Sequence, residues 1–308
     1  MNVYRDISEI NFDGKAVVTI GTFDGIHKGH SDIISFVVNE AADENAESFV
    51  VTFEPHPRLV VSQNYDIKIL TDLEEKIELF EKLNIRNLLV INFNAGFAEL
   101  SYEDFLRNYL IGKIHASHIV IGHDHHFGKG RGGDENKLQQ LSESLGFRLT
   151  VIPAVSVEGV EVSSTKIRNA LLAGELDKAN AYLGRNYTLG GIVVEGDKRG
   201  RTIGFPTANI EPAEKRKLVP KEGVYAVKCV IESAEFKGVL NIGRRPTFEL
   251  QDKVFIELHI LDFEGDVYGK KAEVEFISRL RDEVKFTSVE NLVNQIKQDV
   301  QKAREILK

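Results

Sequence analysis

The chain has 308 residues, 42% hydrophobic and 28% charged, the balance of a globular protein long enough for two domains. A formal net charge of -8 speaks against a general nucleic-acid binder, which would present a basic face, and leaves room only for a local basic pocket. The single cysteine, Cys229, excludes intrachain disulfides and cysteine-rich zinc sites. Residues 1–14 are polar and acidic, unlike a secretory leader, and no apolar run reaches membrane length, so the expectation is a cytoplasmic protein with no membrane partner.

Taken in order, Ala16–Ile20 is an apolar, β-branched run suited to a buried parallel strand. Directly after it comes Gly21-Thr22-Phe23-Asp24-Gly25-Ile26-His27-Lys28-Gly29-His30, with Gly21 and Gly25 placed for a tight turn and close ligand approach. His27 and His30 then fall near the start of a helix that runs to about Ala42, with Ile33, Ile34, Phe36, Val37 and Val38 on its apolar face. Unpaired N–H groups and the helix dipole favour anions there, so the stretch is shaped for phosphate. A strand at Ser48–Phe53 follows, then a capping box at Thr71–Glu74 before a helix carrying Ile77, Phe80 and Leu83, and a strand at Asn87–Ile91. A short helix from Ser101 to Leu110, a strand at Ser117–Ile121, a glycine-rich loop from Gly122 to Gly133, a helix to about Leu145 and a strand at Phe147–Ile152 continue the alternation. That pattern predicts an α/β domain with a parallel sheet, helices on both faces and a ligand crevice at the carboxyl ends of the strands.

Helical segments at Ile167–Leu172 and Ala179–Leu183 lead to Gly184-Arg185-Asn186-Tyr187, where the period changes. Short alternating runs at Gly191–Val194, Tyr225–Ile231, Val239–Ile242, Val254–Leu261 and Ala272–Ile277 predict a small antiparallel β-barrel. A capping box at Thr287–Glu290 opens a terminal helix with Val289, Leu292, Val293, Ile296, Val300, Ala303 and Leu307 on one face. The expected domains are therefore 1–184 and 185–308.

Phosphate binding in the first half requires three clusters to converge: residues 21–30, the loop 122–133, and Ser163-Ser164-Thr165-Lys166-Ile167-Arg168. The last places hydroxyl donors, a helix start and two cations within one turn, as a pyrophosphate leaving group needs, although Ser163 or Ser164 as a plain helix cap is equally in keeping with it. A metal cage at His27 and His30 is disfavoured, since no glutamate accompanies the pair at zinc-helix spacing and no cysteine is available. In the second half Glu257 alone reads as the polar face of an alternating strand, and Arg279 with Arg281 as a charged strand end.

The stretch 21–30 resembles the histidine-x-glycine-histidine signature of the nucleotidyltransferase superfamily, and Thr52-Phe53-Glu54-Pro55-His56-Pro57 with residues 163–168 is similar to bacterial FAD synthetase modules. Gly200-Arg201-Thr202-Ile203-Gly204-Phe205-Pro206-Thr207-Ala208-Asn209, Gly223-Val224-Tyr225, the segment Asn241 to Phe248, Glu257-Leu258-His259 and Asp266 to Gly269 resemble riboflavin kinase. Together they span nearly the whole chain. The resemblance implies a prokaryotic bifunctional riboflavin kinase/FMN adenylyltransferase, with a Rossmann-like nucleotidyltransferase domain first and a kinase barrel second. It implies that riboflavin, FMN and ATP are the partners, with Mg²⁺ as cofactor, FMN and FAD as products, and no nucleic acid; a homo-oligomer is left open.

By the same resemblance, His27 and His30 are catalytic in the first half, with Gly21, Phe23, Asp24, Gly29, Ser163, Ser164, Thr165 and Arg168 around ATP. Asp124, Phe127 and Tyr225 would contact flavin. Gly204, Pro206, Thr207 and Asn209 would bind the ATP of the kinase, Thr207 and Asn209 would hold Mg²⁺, and Glu257 would be the base for the riboflavin 5′-hydroxyl. Hydroxyl and amide oxygens are hard ligands suited to Mg²⁺, and a carboxylate can take a hydroxyl proton during in-line attack. His126 stands where FAD synthetase modules often carry an arginine, with Lys129 and Arg131 nearby in the chain as other sources of charge. Three alternatives accompany this reading: an efficient kinase alone, a transferase for another phosphorylated small molecule, and a non-catalytic flavin-binding or regulatory protein.

Overall fold

The structure is a computed structural model that describes residues 1–62, 67–123, 135–196, 200, 203–245 and 253–308. By its internal packing the chain forms two compact units, Met1–Ser164 and Thr165–Lys308.

The first unit is built on strands β1 (Asn2–Tyr4), β2 (Ala16–Ile20), β3 (Glu47–Glu54), β4 (Asn87–Asn92), β5 (Ala116–Gly122) and β6 (Arg148–Ile152). They make one parallel six-stranded sheet in the order β1-β4-β3-β2-β5-β6, so the expected parallel sheet is present and has an additional edge strand, β1. Every residue of β2 is buried because both faces of the sheet are covered. Alternation sends Ala16, Val18 and Ile20 into one core with Phe49, Val51, Leu89 and Ile119, and Val17 into the other with Val50, Leu88, Val90 and Val120. Each of these valine, leucine, isoleucine and phenylalanine side chains contributes roughly 1.5–3 kcal/mol by leaving water. From β2 the chain moves outward through β3 and β4, then returns to place β5 on the other flank of β2. The carboxyl end of β2 therefore lies at the switch point where such sheets bind ligands.

Helix α1 (Lys28–Asp43) buries Ile34, Val37 and Ala41, and α2 is the short Pro57–Val61 turn. Helix α3 (Leu73–Lys82) has its capping box one residue later than the spacing predicts. Asp72 accepts from Glu75 N–H at 2.9 Å, and Glu75 accepts from Asp72 N–H at 2.8 Å. Short helices α4 (Ala95–Ala98) and α5 (Tyr102–Phe105), the latter running into a π-turn at Leu106–Ile111, gather Phe93, Phe97, Phe105 and Tyr109 into one aromatic cluster. Helix α6 (Glu135–Leu145) precedes β6, and the hairpin β7 (Ser156–Val157) and β8 (Val160–Glu161) follows it.

A polar clasp ties the last turns of α1 to the amino ends of β5 and β6. Arg148 Nη2 donates to Glu40, to Glu44 at 2.6 Å and to His118 Nδ1 at 2.7 Å, while His118 Nε2 meets Thr150 Oγ1 at 2.8 Å. The imidazole is fully buried, and its Nδ1 also lies 3.3 Å from Glu44. Among the described residues, Glu40, Glu44 and His118 are also the group spaced for a metal ion, but the guanidinium lies in their midst. Burial, then the charge of Arg148, pull the His118 pKa below its usual 6.5. Between that depressed value and about 6.5 the unfolded chain binds a proton that the folded one does not, so stability rises with pH across this window and is lost as pH falls through it. Urea midpoints of the full chain are thus expected to decline on acidification below pH 6.5, and His118→Gln to flatten that part of the profile. An unchanged slope in the variant would remove His118 as its source.

From Thr165 on, the second unit takes in α7 (Ser164–Ala173) and α8 (Leu176–Leu183), which the division expected at 184 assigns to the first half. One side chain shows why α8 packs with the barrel: Asn180 accepts from Tyr187 N–H at 2.9 Å and donates to Phe276 O at 3.1 Å. Strands β9 (Tyr187–Val194), β10 (Ala208–Pro212), β11 (Gly223–Ile231), β12 (Ala234–Arg245), β13 (Lys253–Ile260) and β14 (Lys271–Arg281) close a barrel in the order β10-β13-β12-β11-β14-β9, antiparallel throughout. Leu189, Val193, Ile210, Tyr225, Val227, Leu240, Ile242, Leu258, Val274 and Phe276 are buried and alternate with more exposed positions along most strands. The terminal helix α9 (Val289–Ile306) is capped by Ser288, whose side chain accepts from Asn291 N–H, rather than by Thr287. Its Ala303 and the following Leu307 cover Val224, Ala226 and Val239, and Asp299 accepts a two-pronged bond from Arg281 at 2.8–3.0 Å.

Candidate active site

At the carboxyl end of β2 the chain makes a turn that only a supported loop can keep. Phe23 and Ile26 have φ of 46° and 36°, and Gly25 has 91°, a conformation that strains the two L side chains. Burial holds them: both are 2% exposed, and the Phe23 ring packs edge-on against Phe80 at 5.6 Å and His30 at 5.1 Å. A methyl group on Gly21 would lie 3.1 Å from the Phe23 ring, which leaves little room for a side chain there.

Asp24 braces this turn from inside. Its Oδ1 accepts from Leu70 N–H at 2.8 Å and Thr71 N–H at 3.0 Å, while Gly25 N–H donates to Thr71 Oγ1 at 2.9 Å. Ser164 Oγ donates to the Asp24 carbonyl at 2.8 Å. Two of the clusters expected to converge, residues 21–30 and Ser163–Ser164, therefore do meet, through a backbone carbonyl. Thr71 is a site-supporting residue that sequence reasoning took for a helix cap. Its hydroxyl is turned to the Gly25 turn, and the cap passes to Asp72.

His27 is the N-cap of α1, with Nδ1 accepting from His30 N–H at 3.4 Å, and the two imidazoles stack with centroids 3.7 Å apart. By helix geometry the N–H groups of Lys28 and Gly29 are the remaining first-turn donors, positioned for an anion. A Cβ at Gly29 would come within 3.4 Å of the His27 ring. Two imidazoles and a helix amino end at the switch point can hold and stabilise negative charge on a phosphoryl group. Thr165 and Arg168 lie on α7, Thr165 exposed and Arg168 half-buried. Asp124 and Phe127 fall outside the described residues, as does His126.

The second constellation is on the outer face of the barrel. Register places Asn209 opposite Glu257, and Glu257 opposite Asn241, so three polar side chains stand abreast on β10, β13 and β12 while Ala208, Leu258, Leu240 and Ile242 turn inward. Thr207 immediately precedes β10. Bare backbone presses on two of these groups: a Cβ at Gly196 would sit 1.8 Å from Asn209 Nδ2, and one at Gly200 2.2 Å from Phe205 O and 3.2 Å from Thr207 Oγ1. Gly204 turns the chain with φ of 83°, and His259 Nδ1 holds the next segment through Pro206 O at 2.8 Å. A hydroxyl and an amide oxygen, pressed by glycines into a cradle beside a carboxylate, suit a hard divalent cation.

Tyr225 lies elsewhere, fully buried in the barrel core with its hydroxyl bonded to Lys221 O and its ring edge-on to Phe276 at 5.3 Å. Arg279 and Arg281 are engaged structurally, Arg279 with Glu222 O and Asp282, Arg281 with Asp299.

Comparison with known proteins finds relatives for both halves of the chain. The family model for FAD synthetase matches residues 9–166 and that for riboflavin kinase residues 183–307. A bifunctional riboflavin kinase/FMN adenylyltransferase of Listeria monocytogenes is 40% identical, over 95% of this chain and 92% of that one. A protein of the same description from Bacillus subtilis is 39% identical, over 94% and 92%. A crystal structure described as a macrolide-efflux protein from Streptococcus pneumoniae has a TM-score of 0.89 at 30% identity over 98% of both chains. Among the described residues of the present chain, no helix is long and apolar enough to cross a membrane.

Proposed function

Because the chain belongs to the family of bifunctional riboflavin kinases/FMN adenylyltransferases, we propose that its two reactions run at two separate constellations, riboflavin phosphorylation at Glu257 and FMN adenylylation at His27 and His30. The adenylyltransferase is assigned to residues 1–184 and the kinase to 185–308. The observation that carries the assignment is the barrel register, which sets Glu257 beside Asn209 and so brings a proton acceptor next to hard oxygen ligands.

In the kinase reaction Glu257 takes the proton of the riboflavin 5′-hydroxyl as its oxygen attacks the γ-phosphorus of ATP, and ADP leaves in line. Thr207 and Asn209 would hold Mg²⁺, which would offset negative charge on the phosphates. Gly204 and Pro206 shape the loop against those phosphates, and His259 fixes that loop through Pro206. In the second reaction an oxygen of the FMN phosphate attacks the α-phosphorus of ATP and pyrophosphate leaves; no enzyme nucleophile is needed. His27, His30 and the α1 amino end stabilise the charge that builds on the α-phosphate, Gly21, Phe23 and Gly29 keep the backbone close to ATP, and Asp24 maintains the turn through its bonds to residues 70 and 71. Ser163, Ser164, Thr165 and Arg168 serve the leaving pyrophosphate, and Asp124 and Phe127 the flavin, whereas Tyr225, buried in the barrel core, has no surface to offer it. The same reading takes the cytoplasm as the compartment and allows a homo-oligomer.

Purified protein incubated with riboflavin, ATP and Mg²⁺, with flavins resolved by chromatography, is expected to yield FMN first and FAD after it. FMN without FAD would reduce the activity to the kinase alone, and neither product would overturn the proposal.

A further inference from the structure

Helix α3 packs in the same core as α1, and its amino end stands beside the turn that follows β2, because Leu70 and Thr71, just before its cap, donate to Asp24. A lysine occupies the centre of its inner face. Lys76 and Phe80 are one turn apart and 2% and 0% exposed, where an amphipathic helix would carry apolar side chains at both positions. The Phe80 ring meets Phe23 at 5.6 Å, and Phe23 meets His30 at 5.1 Å. Lys76 is one turn nearer the helix start, and side chains on a helix lean that way, so its stem is directed toward the Asp24–Gly25 turn. Among the described residues its ammonium makes neither a hydrogen bond nor an ion pair, since Asp24 Oδ1 is taken up by the Leu70 and Thr71 N–H groups. The little exposure that Lys76 retains includes its ammonium tip, which is thereby open to a ligand. A lysine stem buried without a counter-charge costs stability that an apolar side chain of the same length would not.

From this placement, and resting on the assignment of adenylylation to the His27–His30 turn, we propose that Lys76 binds a phosphate oxygen of the adenylylation substrates, either of the ATP triphosphate or of the FMN phosphate. Its ammonium adds a full positive charge to the two imidazoles and the first-turn N–H groups of α1. With the stem held in the core beside Phe80, few rotamers remain to be lost when the phosphate arrives. The stability forgone by burying the charge is thereby exchanged for substrate binding.

The test is Lys76→Met in the full chain, which keeps the length and apolar character of the stem and removes the charge. With FMN and ATP supplied, kcat/KM for FAD formation is expected to fall about 10–100-fold, the loss of one charge-assisted hydrogen bond. The substrate whose KM rises, ATP or FMN, identifies the phosphate that is held. Riboflavin phosphorylation should be unchanged. The thermal midpoint of the ligand-free chain should stay level or rise, because an unpaired buried charge has been removed. Lys76→Ala, which also deletes the stem, should lower the midpoint through the cavity it leaves yet match Lys76→Met in the substrate KM that it raises. An unchanged kcat/KM for both substrates in Lys76→Met overturns the proposal. So does a lowered midpoint with FAD formation and riboflavin phosphorylation lost together, the result of a lysine needed only for folding. His27→Ala combined with His30→Ala separates the two levels: if that variant still makes FAD at the normal rate, the assignment of the turn fails whatever Lys76 does.

Discussion

Glu257→Gln is expected to lower FMN formation by about 10²–10⁴-fold, the usual contribution of a general base, while adenylylation of supplied FMN continues at its normal rate. The substitution keeps volume and removes only the ability to accept the proton. Its position makes the result interpretable: Glu257 is on the outer face of β13, between Ile256 and Leu258 that fill the core, so a change there alters chemistry with little effect on packing. Flavin chromatography with riboflavin as substrate, and separately with FMN, reads both arms. Loss of both activities in a folded protein would mean that the two constellations are not independent.

The converse experiment replaces His27 and His30 together by alanine. FAD formation from FMN is expected to drop at least about 10³-fold, since removing a single donor to developing negative charge commonly costs 10²–10³. Riboflavin phosphorylation should persist. His27 also caps α1, and an alanine there removes an acceptor worth about 1 kcal/mol, so a second variant is needed to separate the two roles. His27→Asn retains an acceptor for His30 N–H without an imidazole; it should recover the thermal midpoint but not the adenylylation rate. Recovery of the rate as well would show that the cap, not the ring, is what the reaction requires.

Much of this architecture is legible in the residues because the signals are local. A run such as Ala16–Ile20 has one stable setting, a strand covered on both faces, and the helix after His27 shows its inner face in Ile34, Val37 and Ala41. The alternating runs that become the barrel are equally plain, apart from β10. That strand hides behind Pro206 and ends on Pro212, and β1 has only three residues, too few to show a period. The capping box is a different case. Thr71–Glu74 and Asp72–Glu75 both satisfy the spacing, and the choice between them is made by Gly25, 46 residues away along the chain, which takes the Thr71 hydroxyl. Tertiary contacts of that kind leave no trace in a window of ten residues. The same holds for Lys76, whose burial depends on how α3 packs against the sheet.

The brace around Asp24 has a consequence for synthesis. Residues 24, 70, 71 and 164 are joined at one turn by hydrogen bonds, and the last of them is the final residue of the first compact unit. A ribosome adding about 5–20 residues per second needs roughly 8–33 s to reach Ser164. Throughout that interval the nascent chain carries its histidines on a turn lacking one of its supports, and that turn is complete only after Ser164 has emerged from the exit tunnel.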